Sequence, residues 1–480
     1  MNFESIIGLE IHAQISTKTK MFCRCDNDSF DKAPNINVCP VCMGFPGQLP
    51  VLNKVALNKG LIAALALNCD INLHSKFDRK NYFYPDNPKG FQISQYDEPV
   101  SSNGFLDIEF YKNDVLNKKR IGITRLHLED DAGKLSHFSD STLIDFNRAG
   151  TPLMEIVSEP DIRSSKEASE YAKEIQKILR YVASSDADME KGMMRFDASV
   201  SIRPIGESIL YKRAEIKNLN SFKALEAAID FEIDRQINLW KESGPMEKPI
   251  TMGWDDSTQK TYFLREKEES DDYRYFPEPD IPELVFNESE IEKLCENIPE
   301  MPAVKYKRYI NEFLLNEDDA RILSSDLSLA NYFEGVLKLT KDAKLSVSFI
   351  NTVLMKYLRE DSVSVSEQNV TVEMMGELIN LVNDGVISNN IAKSEVFELM
   401  YRDSKSPKDI VEEKGLKQVS DTSLIDLLAE KIILENPDSI EDIKNGKDKA
   451  IGYLIGLVMK ETRGQANPKM VSDAIKRLVK

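Results

Sequence analysis

Four cysteines, Cys23, Cys25, Cys39 and Cys42, tie one short stretch of this chain to a common point. They form a C-x-C pair and a C-x-x-C pair with thirteen residues between them. Two close thiol pairs joined by a short loop can wrap one tetrahedral zinc ion, which takes thiolates and has no redox chemistry of its own. With all four thiolates spent on one ion, no ligand position stays open for water or substrate, so such a zinc braces the chain rather than catalysing. The other two cysteines, Cys69 and Cys295, are isolated. A disulfide framework is the rival reading, and the spacing together with a reducing compartment favours zinc.

A chain of 480 residues is long enough for about three domains of roughly 100 to 200 residues each. At 41% hydrophobic and 30% charged it has the composition of an ordinary globular protein, and no uninterrupted apolar run reaches the length of a membrane span. Met1 to Glu4 is not a basic leader, which points to the cytoplasm. The net charge of −18 argues against broad affinity for nucleic acid, which rests on neutralising phosphate. The charge is uneven, however. From Lys444 to Lys480 nine Lys or Arg face three acids, which suits either an RNA-contacting arm or a solvated helix surface.

Periodicity supplies the fold class. Ile7, Leu9, Ile11, Ala13 and Ile15 alternate with Gly8, Glu10, His12 and Gln14, the period of a half-buried strand, so Glu10 and His12 share a face. The stretch Ile121 to Glu129 alternates likewise, with Arg125, His127 and Glu129 on one side. Leu153, Glu155 and Val157 share a face of a third strand, and Arg195, Asp197, Ser199, Ser201 and Arg203 a face of a fourth. Ser164 and Glu167 have the spacing of a capping box ahead of a helix through Val182, and a second helix is expected from Ser221 to about Glu242, before Gly244 and Pro245. Strands and helices without strict βαβ alternation predict an α+β domain with a mainly antiparallel sheet. Prolines at 277, 279, 282, 299 and 302 mark a change of texture, and the chain beyond is helical with a polar break at Arg402 to Lys408. The expected organisation is a large cradle-like domain over 1–295, a helical domain over 296–405 and a small helical tail over 406–480.

All four histidines fall within the first 137 residues. Glu10 with His12, Glu129 with His127, and Glu155 place several anionic oxygens around one face, and such a cluster repels itself unless a cation sits within it. Oxygen donors with at most one imidazole suit Mg²⁺ better than zinc. The run from Phe77 to Tyr96 interleaves Arg79, Lys80 and Lys89 with Tyr82, Phe83 and Tyr84. It reads equally as cations gripping phosphate beside rings that stack a base, or as an ordered loop packed by its aromatics. Absences narrow the chemistry: no Walker P-loop, no G-x-S-x-G elbow, no glycine-serine-rich amidase stretch, and Asn at position 2. The chain shows no means of its own to release ammonia.

Several segments together resemble one family. They are Ile7-Gly-Leu-Glu-Ile-His-Ala-Gln14, the cysteine cluster, Lys76 to Asp86, His127 to Lys134, Asp145-Phe-Asn-Arg-Ala-Gly150, Glu155 to Asp161, Glu215-Ile-Lys-Asn-Leu-Asn-Ser221 and Asp272 to Asp280, with Gly464-Gln-Ala-Asn-Pro468 near the end. In this order they resemble the GatB family, a component of aspartyl/glutamyl-tRNA amidotransferases, over nearly the whole chain, with a YqeY-like C-terminal region. The resemblance implies a ligase that works in a heterotrimer with a glutaminase component, GatA, and a small third component, GatC. It implies ATP-dependent phosphorylation of the side-chain carboxylate of Glu-tRNA(Gln) or Asp-tRNA(Asn), followed by amidation with ammonia from GatA. By the same resemblance Glu10, His12, Glu129 and Glu155 are expected to hold Mg²⁺, Lys80 and Arg79 to contact phosphate or the ammonia path, and Glu215, Lys217 and Asn218 to position nucleotide or substrate. The tail is expected to bind tRNA. Three positions depart from the family pattern: Asp130 stands where a longer acid is usual, and Phe196 and Ser199 replace Cys and Asn.

Overall fold

The computed structural model describes residues 2–112, 115–266, 270–418, 422–444, 449–462 and 465–479. Met1, Lys447, Asp448, Arg463, Gly464 and Lys480, all used in the sequence readings above, lie outside the described residues. The chain divides into two compact units, Met1–Met301 and Pro302–Lys480.

Unit 1 is α+β, as the alternation predicts. Its early strands are β1 (Phe3–Gln14), β2 (Asp70–Ile71), β3 (His74–Ser75), β4 (Asp78–Asn81), β5 (Phe91–Ser94), β6 (Ser101–Lys112), β7 (Val115–Asp130) and β8 (Lys134–His137). The later ones are β9 (Thr142–Asp145), β10 (Pro152–Ser158), β11 (Met194–Pro204), β12 (Ala214–Leu219), β13 (Ile250–Asp255), β14 (Lys260–Glu266), β15 (Phe276–Pro277) and β16 (Leu284–Val285). Its helices are α1 (Lys54–Ala66), α2 (Ser165–Tyr181), α3 (Phe222–Ser243) and α4 (Glu288–Glu296). Nine strands form one sheet in the order β14-β13-β12-β11-β1-β10-β7-β6-β2, antiparallel throughout except for the parallel pair β12 and β13.

One face of this sheet is apolar and carries the core. Ile7, Leu9, Ile11 and Ala13 of β1, Leu126 and Leu128 of β7, Met154 and Ile156 of β10, and Phe196, Ala198 and Val200 of β11 join one buried cluster with Tyr171 and Ile175 of α2 and Leu225 and Ile229 of α3. Burial of this size is the main force holding the unit together. Phe196, one of the departures, belongs to this core and stacks on Phe222, with ring centroids 5.5 Å apart. The helices that cover the face are capped from their flanks. Asn53 accepts from the N–H of Val55 and Ala56 at the start of α1, and Ser221 accepts from Ala224 at the start of α3. Gly244 ends α3 with φ of 93°. The expected capping box at α2 is only half present: Ser164 accepts from the Glu167 N–H, but the Glu167 carboxylate accepts from the N–H of Arg163 and from Lys119. The nearby ammonium draws the acid one residue past the cap.

Unit 2 is helical and has two buried clusters among its described residues. One runs from Tyr309 to Leu416, the other from Ile425 to Ile475. The helices of the second cluster are Thr422–Glu435, Pro437–Lys444, Lys449–Glu461 and Pro468–Leu478. Of its basic residues Arg477 pairs with Asp426 and Lys431 with Glu461. No helix among the described residues is long and apolar enough to cross a membrane.

Candidate active face and metal centres

The polar face of the sheet is built by lateral pairing. Register sets His12 of β1 opposite Glu155 of β10 and Arg195 of β11, and sets Glu155 opposite His127 of β7. Glu10 lies opposite Val157 and Asp197. Side chains at such positions point the same way from neighbouring strands, so strands far apart in sequence deliver one patch.

Two groups of acids result. In the first, His12 Nε2 lies 3.1 Å from Glu155 and 3.9 Å from Glu129, and His127 Nε2 lies 3.5 Å from Glu155 and 3.7 Å from Glu129. Ser94 Oγ donates to Glu129 at 3.1 Å, and Arg125 Nε donates to His127 Nδ1 at 3.3 Å, which turns the protonated Nε2 toward the carboxylates. Burial pushes the Glu155 carboxyl up, but His127 and His12 outweigh it and hold it well below the usual carboxylate range. Glu129 is likewise lowered against its burial, mainly by the His127 hydrogen bond. Burial works against charge on His12, yet Glu155 raises its imidazole. The second group is Glu10, Asp197 and Glu215 around Lys217. The ammonium sits 2.7 Å from Asp197, 2.5 Å from Glu215 and 4.0 Å from Glu10. The β11–β12 register shifts between Phe196 and Ala198, Asn218 takes φ of 58°, and its N–H donates to Asp197. This irregularity of the ladder turns Lys217 onto the acids. Burial opposes the Lys217 charge, and Asp197 and Glu215 more than restore it. Glu10 is raised, first by burial, which Lys217 only partly offsets.

The expected set of Glu10, His12, Glu129 and Glu155 is therefore distributed over two neighbouring groups. His12, Glu129 and Glu155 offer ligand atoms all within 4.8 Å of one another, and Glu10, Asp197 and Glu215 do the same. A hard cation fits the first group on its donors alone, two carboxylates and an imidazole. His12 Nδ1 is buried without a hydrogen-bond partner, a further sign that the packing around this side chain is incomplete.

Lys80 faces the same groups from β4. Its ammonium lies 5.0 Å from the Tyr273 ring and makes no ion pair among the described residues. Burial would lower it, but Tyr275, Glu129 and Glu155 raise it, so it stays a cation. Arg79 is adjacent in sequence and engaged elsewhere. It donates to Glu278 through two nitrogens at 2.7 and 2.9 Å and to Asp280 at 3.2 Å. Asp130, the short acid of the departures, pairs with Lys89 and accepts from the Ile93 N–H.

The four cysteines are unbridged and close. Cys39 and Cys42 sulfurs stand 3.8 Å apart, which is about the 3.8 Å edge of a tetrahedron with Zn–S bonds of about 2.3 Å. The Cys42 thiol is drawn down to about 5, first by the Cys23 thiol donating to it, then by the Cys39 N–H and the charge of Lys20. Lys20 is fully buried, donates to the Asn37 carbonyl at 2.7 Å and lies 3.9 Å from Cys42 Sγ. Nothing in its sequence position announces it. The cysteine loop is fastened to the Asp145–Gly150 motif: Asn37 N–H donates to Asn147, Asn147 donates to Ala33, and Met21 N–H donates to Gly150. Arg148 in turn donates to the carbonyls of Ala132 and Gly133. The loop thus holds the segment that leads into β10 and Glu155. Asp131 is a further buried acid that alternation does not single out. Against its burial, Arg148 and Arg195 hold the Asp131 carboxyl down to about 2.

Comparison with known proteins matches residues 5–292 to the GatB/GatE catalytic domain and residues 331–479 to the GatB domain. The chain is 47% identical over 475 residues to a protein of Clostridium tetani named as the B component of aspartyl/glutamyl-tRNA(Asn/Gln) amidotransferase, covering 99% of this chain and 98% of that protein. Proteins of the same name in Persephonella marina and Caldicellulosiruptor bescii are each 47% identical, the first over the full length of both chains and the second over 99% of each. At this identity and coverage, with the family's catalytic-domain model spanning the whole acidic face, the chain belongs to the GatB family of tRNA-dependent amidotransferase components.

Proposed function

We propose that the polar face of unit 1 activates the side-chain carboxylate of Glu-tRNA(Gln) or Asp-tRNA(Asn) with ATP and converts it to the amide with ammonia supplied by a glutaminase, GatA, in a complex that also contains GatC. A carboxylate oxygen of the amino acid attacks the γ-phosphorus, the bond to the β-phosphate oxygen breaks and ADP leaves. Ammonia then attacks the acyl carbon, the carbon–oxygen bond to phosphate breaks, inorganic phosphate leaves and one proton passes from nitrogen to a neighbouring carboxylate. The cytoplasm, where tRNA is charged, is the place for this work. The observation that carries the reading is the clustering of His12, Glu129 and Glu155 beside Lys80, whose ammonium makes no ion pair among the described residues. A zinc-braced module that only bound tRNA would have no use for buried acids beside an anionic RNA.

His12, Glu129 and Glu155 would hold Mg²⁺, which when bound neutralises phosphate charge during transfer. Lys80 presents its ammonium to the transferring oxygens. Lys217, fixed by Asp197 and Glu215, orients nucleotide or substrate, with Glu10 and Asn218 setting its place. Arg79 serves the site indirectly, by tying β4 to Glu278. Cys23, Cys25, Cys39 and Cys42 would hold a structural zinc. The C-terminal helices carry the tRNA-binding role.

The assembled complex, given ATP and glutamine, is expected to amidate charged tRNA(Gln) or tRNA(Asn) only when ATP is present. Amide formation without ATP would refute the activation step. In the same assay Lys80→Met is expected to lower kcat by about 10²-fold, the usual cost of losing one preorganised charge at a transition state. An unchanged kcat removes Lys80 from the reacting atoms.

A further inference from the structure

The aromatic run after β4 has no part in the chemistry above, yet its side chains are divided sharply. Tyr82 is half-buried, while Phe83 is 86% exposed and Tyr84 56%. The loop that presents them is well tied. Tyr82 N–H donates to the Gly90 carbonyl at 3.2 Å, Asn87 donates to the carbonyls of Tyr82 and Tyr84 at 3.0 Å, and Gly133 N–H donates to Asp86 at 2.8 Å. Gly90 takes φ of 78°, and a Cβ there would come within 3.2 Å of the Phe83 ring. The ring therefore rests on the turn itself. Two adjacent rings held out by an ordered loop differ from apolar residues scattered singly over a surface.

Phe83 and Tyr82 line one part of an open groove of about 650 Å³ that is also lined by Tyr273, Arg274, Phe276 and one acid, Asp272. Tyr273 links the groove to Lys80, the cation that faces the acids. Tyr273 lies under the Lys80 ammonium, and the neighbouring Tyr275 stacks on Tyr96 with centroids 4.4 Å apart and planes 12° from parallel. The Arg274 guanidinium is exposed and makes no ion pair among the described residues. Aromatic rings beside an uncommitted cation suit single-stranded nucleic acid, because every base offers a π-face and every linkage an anionic phosphate.

We propose that this groove seats the unpaired 3′ end of the charged tRNA, with Phe83 stacking a terminal base and Arg274 meeting a backbone phosphate. The proposal rests on the amidation reading: the reacting amino acid is esterified to the last ribose, so only a few bonds separate that nucleoside from the carboxylate being activated. The adenine of ATP has the same stacking chemistry, and the test separates the two.

The test measures affinity of the assembled complex for intact tRNA, for the same tRNA lacking its 3′-terminal nucleotide, and for ATP. In the unaltered complex the truncated tRNA is expected to bind roughly tenfold more weakly than the intact one, within the range of a stacked base. Phe83→Ala and Phe83→Leu should abolish that difference and leave ATP affinity unchanged, and Phe83→Trp should restore it. A difference that survives in Phe83→Ala overturns the proposal, as does a tenfold loss of ATP affinity in its place. A complex that distinguishes the two tRNAs through Phe83 but, given ATP and glutamine, does not amidate the intact tRNA once it is charged supports the groove and refutes the amidation reading alone.

Discussion

Replacing Glu155 by Gln in the assembled complex is expected to lower ATP-dependent amidation by at least about 10³-fold, about 4 kcal/mol at the transition state. Of the two acids that both imidazoles meet, Glu155 is the nearer to each, at 3.1 Å from His12 and 3.5 Å from His127, and it lies within the field of Lys80. Gln fills the same volume between the same strands, so Met154 and Ile156 keep their place in the core and the fold should persist. What the substitution removes is one anionic donor of the proposed Mg²⁺ site. Glutaminase activity of the complex and affinity for tRNA should stay within about twofold, since neither depends on charge at this point of the face. Single-turnover amidation with charged tRNA and a filter-binding measurement check both halves. Amidation within tenfold of the unaltered complex would take Glu155 out of the activation site.

The second large effect belongs to the cysteine loop. Cys42→Ser is expected to remove bound zinc and to lower the melting temperature of unit 1 by about 10 °C, corresponding to about 4 kcal/mol at the scale of a domain this large. Cys42 is the one buried residue of the four cysteines and lies against Lys20, which would offset the negative charge that four thiolates gather around zinc. Removing it loosens the loop that holds Gly150 and the start of β10. Activity should fall in step with the folded fraction, and kcat per folded molecule should stay near that of the unaltered chain. Metal analysis with calorimetry decides the point: a zinc-free chain that melts at the unaltered temperature would refute a structural role.

Much of this face is legible from alternation alone. Glu10 with His12, His127 with Glu129, and Arg195 with Asp197 stand on the faces that a period of two predicts, because one side of each strand must supply Leu9, Leu128 and Phe196 to the core. The lateral arrangement is not legible. Whether His12 meets Glu155 or Val157 depends on pairing between strands more than 140 residues apart, and a shift of one residue would exchange every partner. For that reason the division of the acids into one group around His12 and another around Lys217 could not be read from the sequence. Asn218 illustrates a second limit: its left-handed backbone aims Lys217 at Asp197, and nothing in the local pattern separates it from an ordinary strand residue.

Arg79 and Lys80 show how a short strand can hide within a motif. Read as one basic run they serve one purpose, but β4 is pleated, so the two side chains leave on opposite sides. Lys80 meets Tyr273, and Arg79 meets Glu278. The capping residues of α2 show competition of another kind, with Lys119, distant in sequence, redirecting Glu167. Lys20 carries no signal at all, since a lysine after a strand usually reads as solvated, and only the folded loop turns it onto a thiolate.

The proposed reaction requires the amino acid's carboxylate itself to take the phosphoryl group on this face. Charging the tRNA with glutamate labelled with ¹⁸O in its side-chain carboxylate, then following the label through one turnover of the assembled complex, tests it directly. Phosphorylation of the carboxylate followed by displacement with ammonia leaves one ¹⁸O atom in inorganic phosphate for each amide formed, and the Glu155→Gln complex should yield neither. Amide formed by the unaltered complex together with unlabelled phosphate would contradict the account.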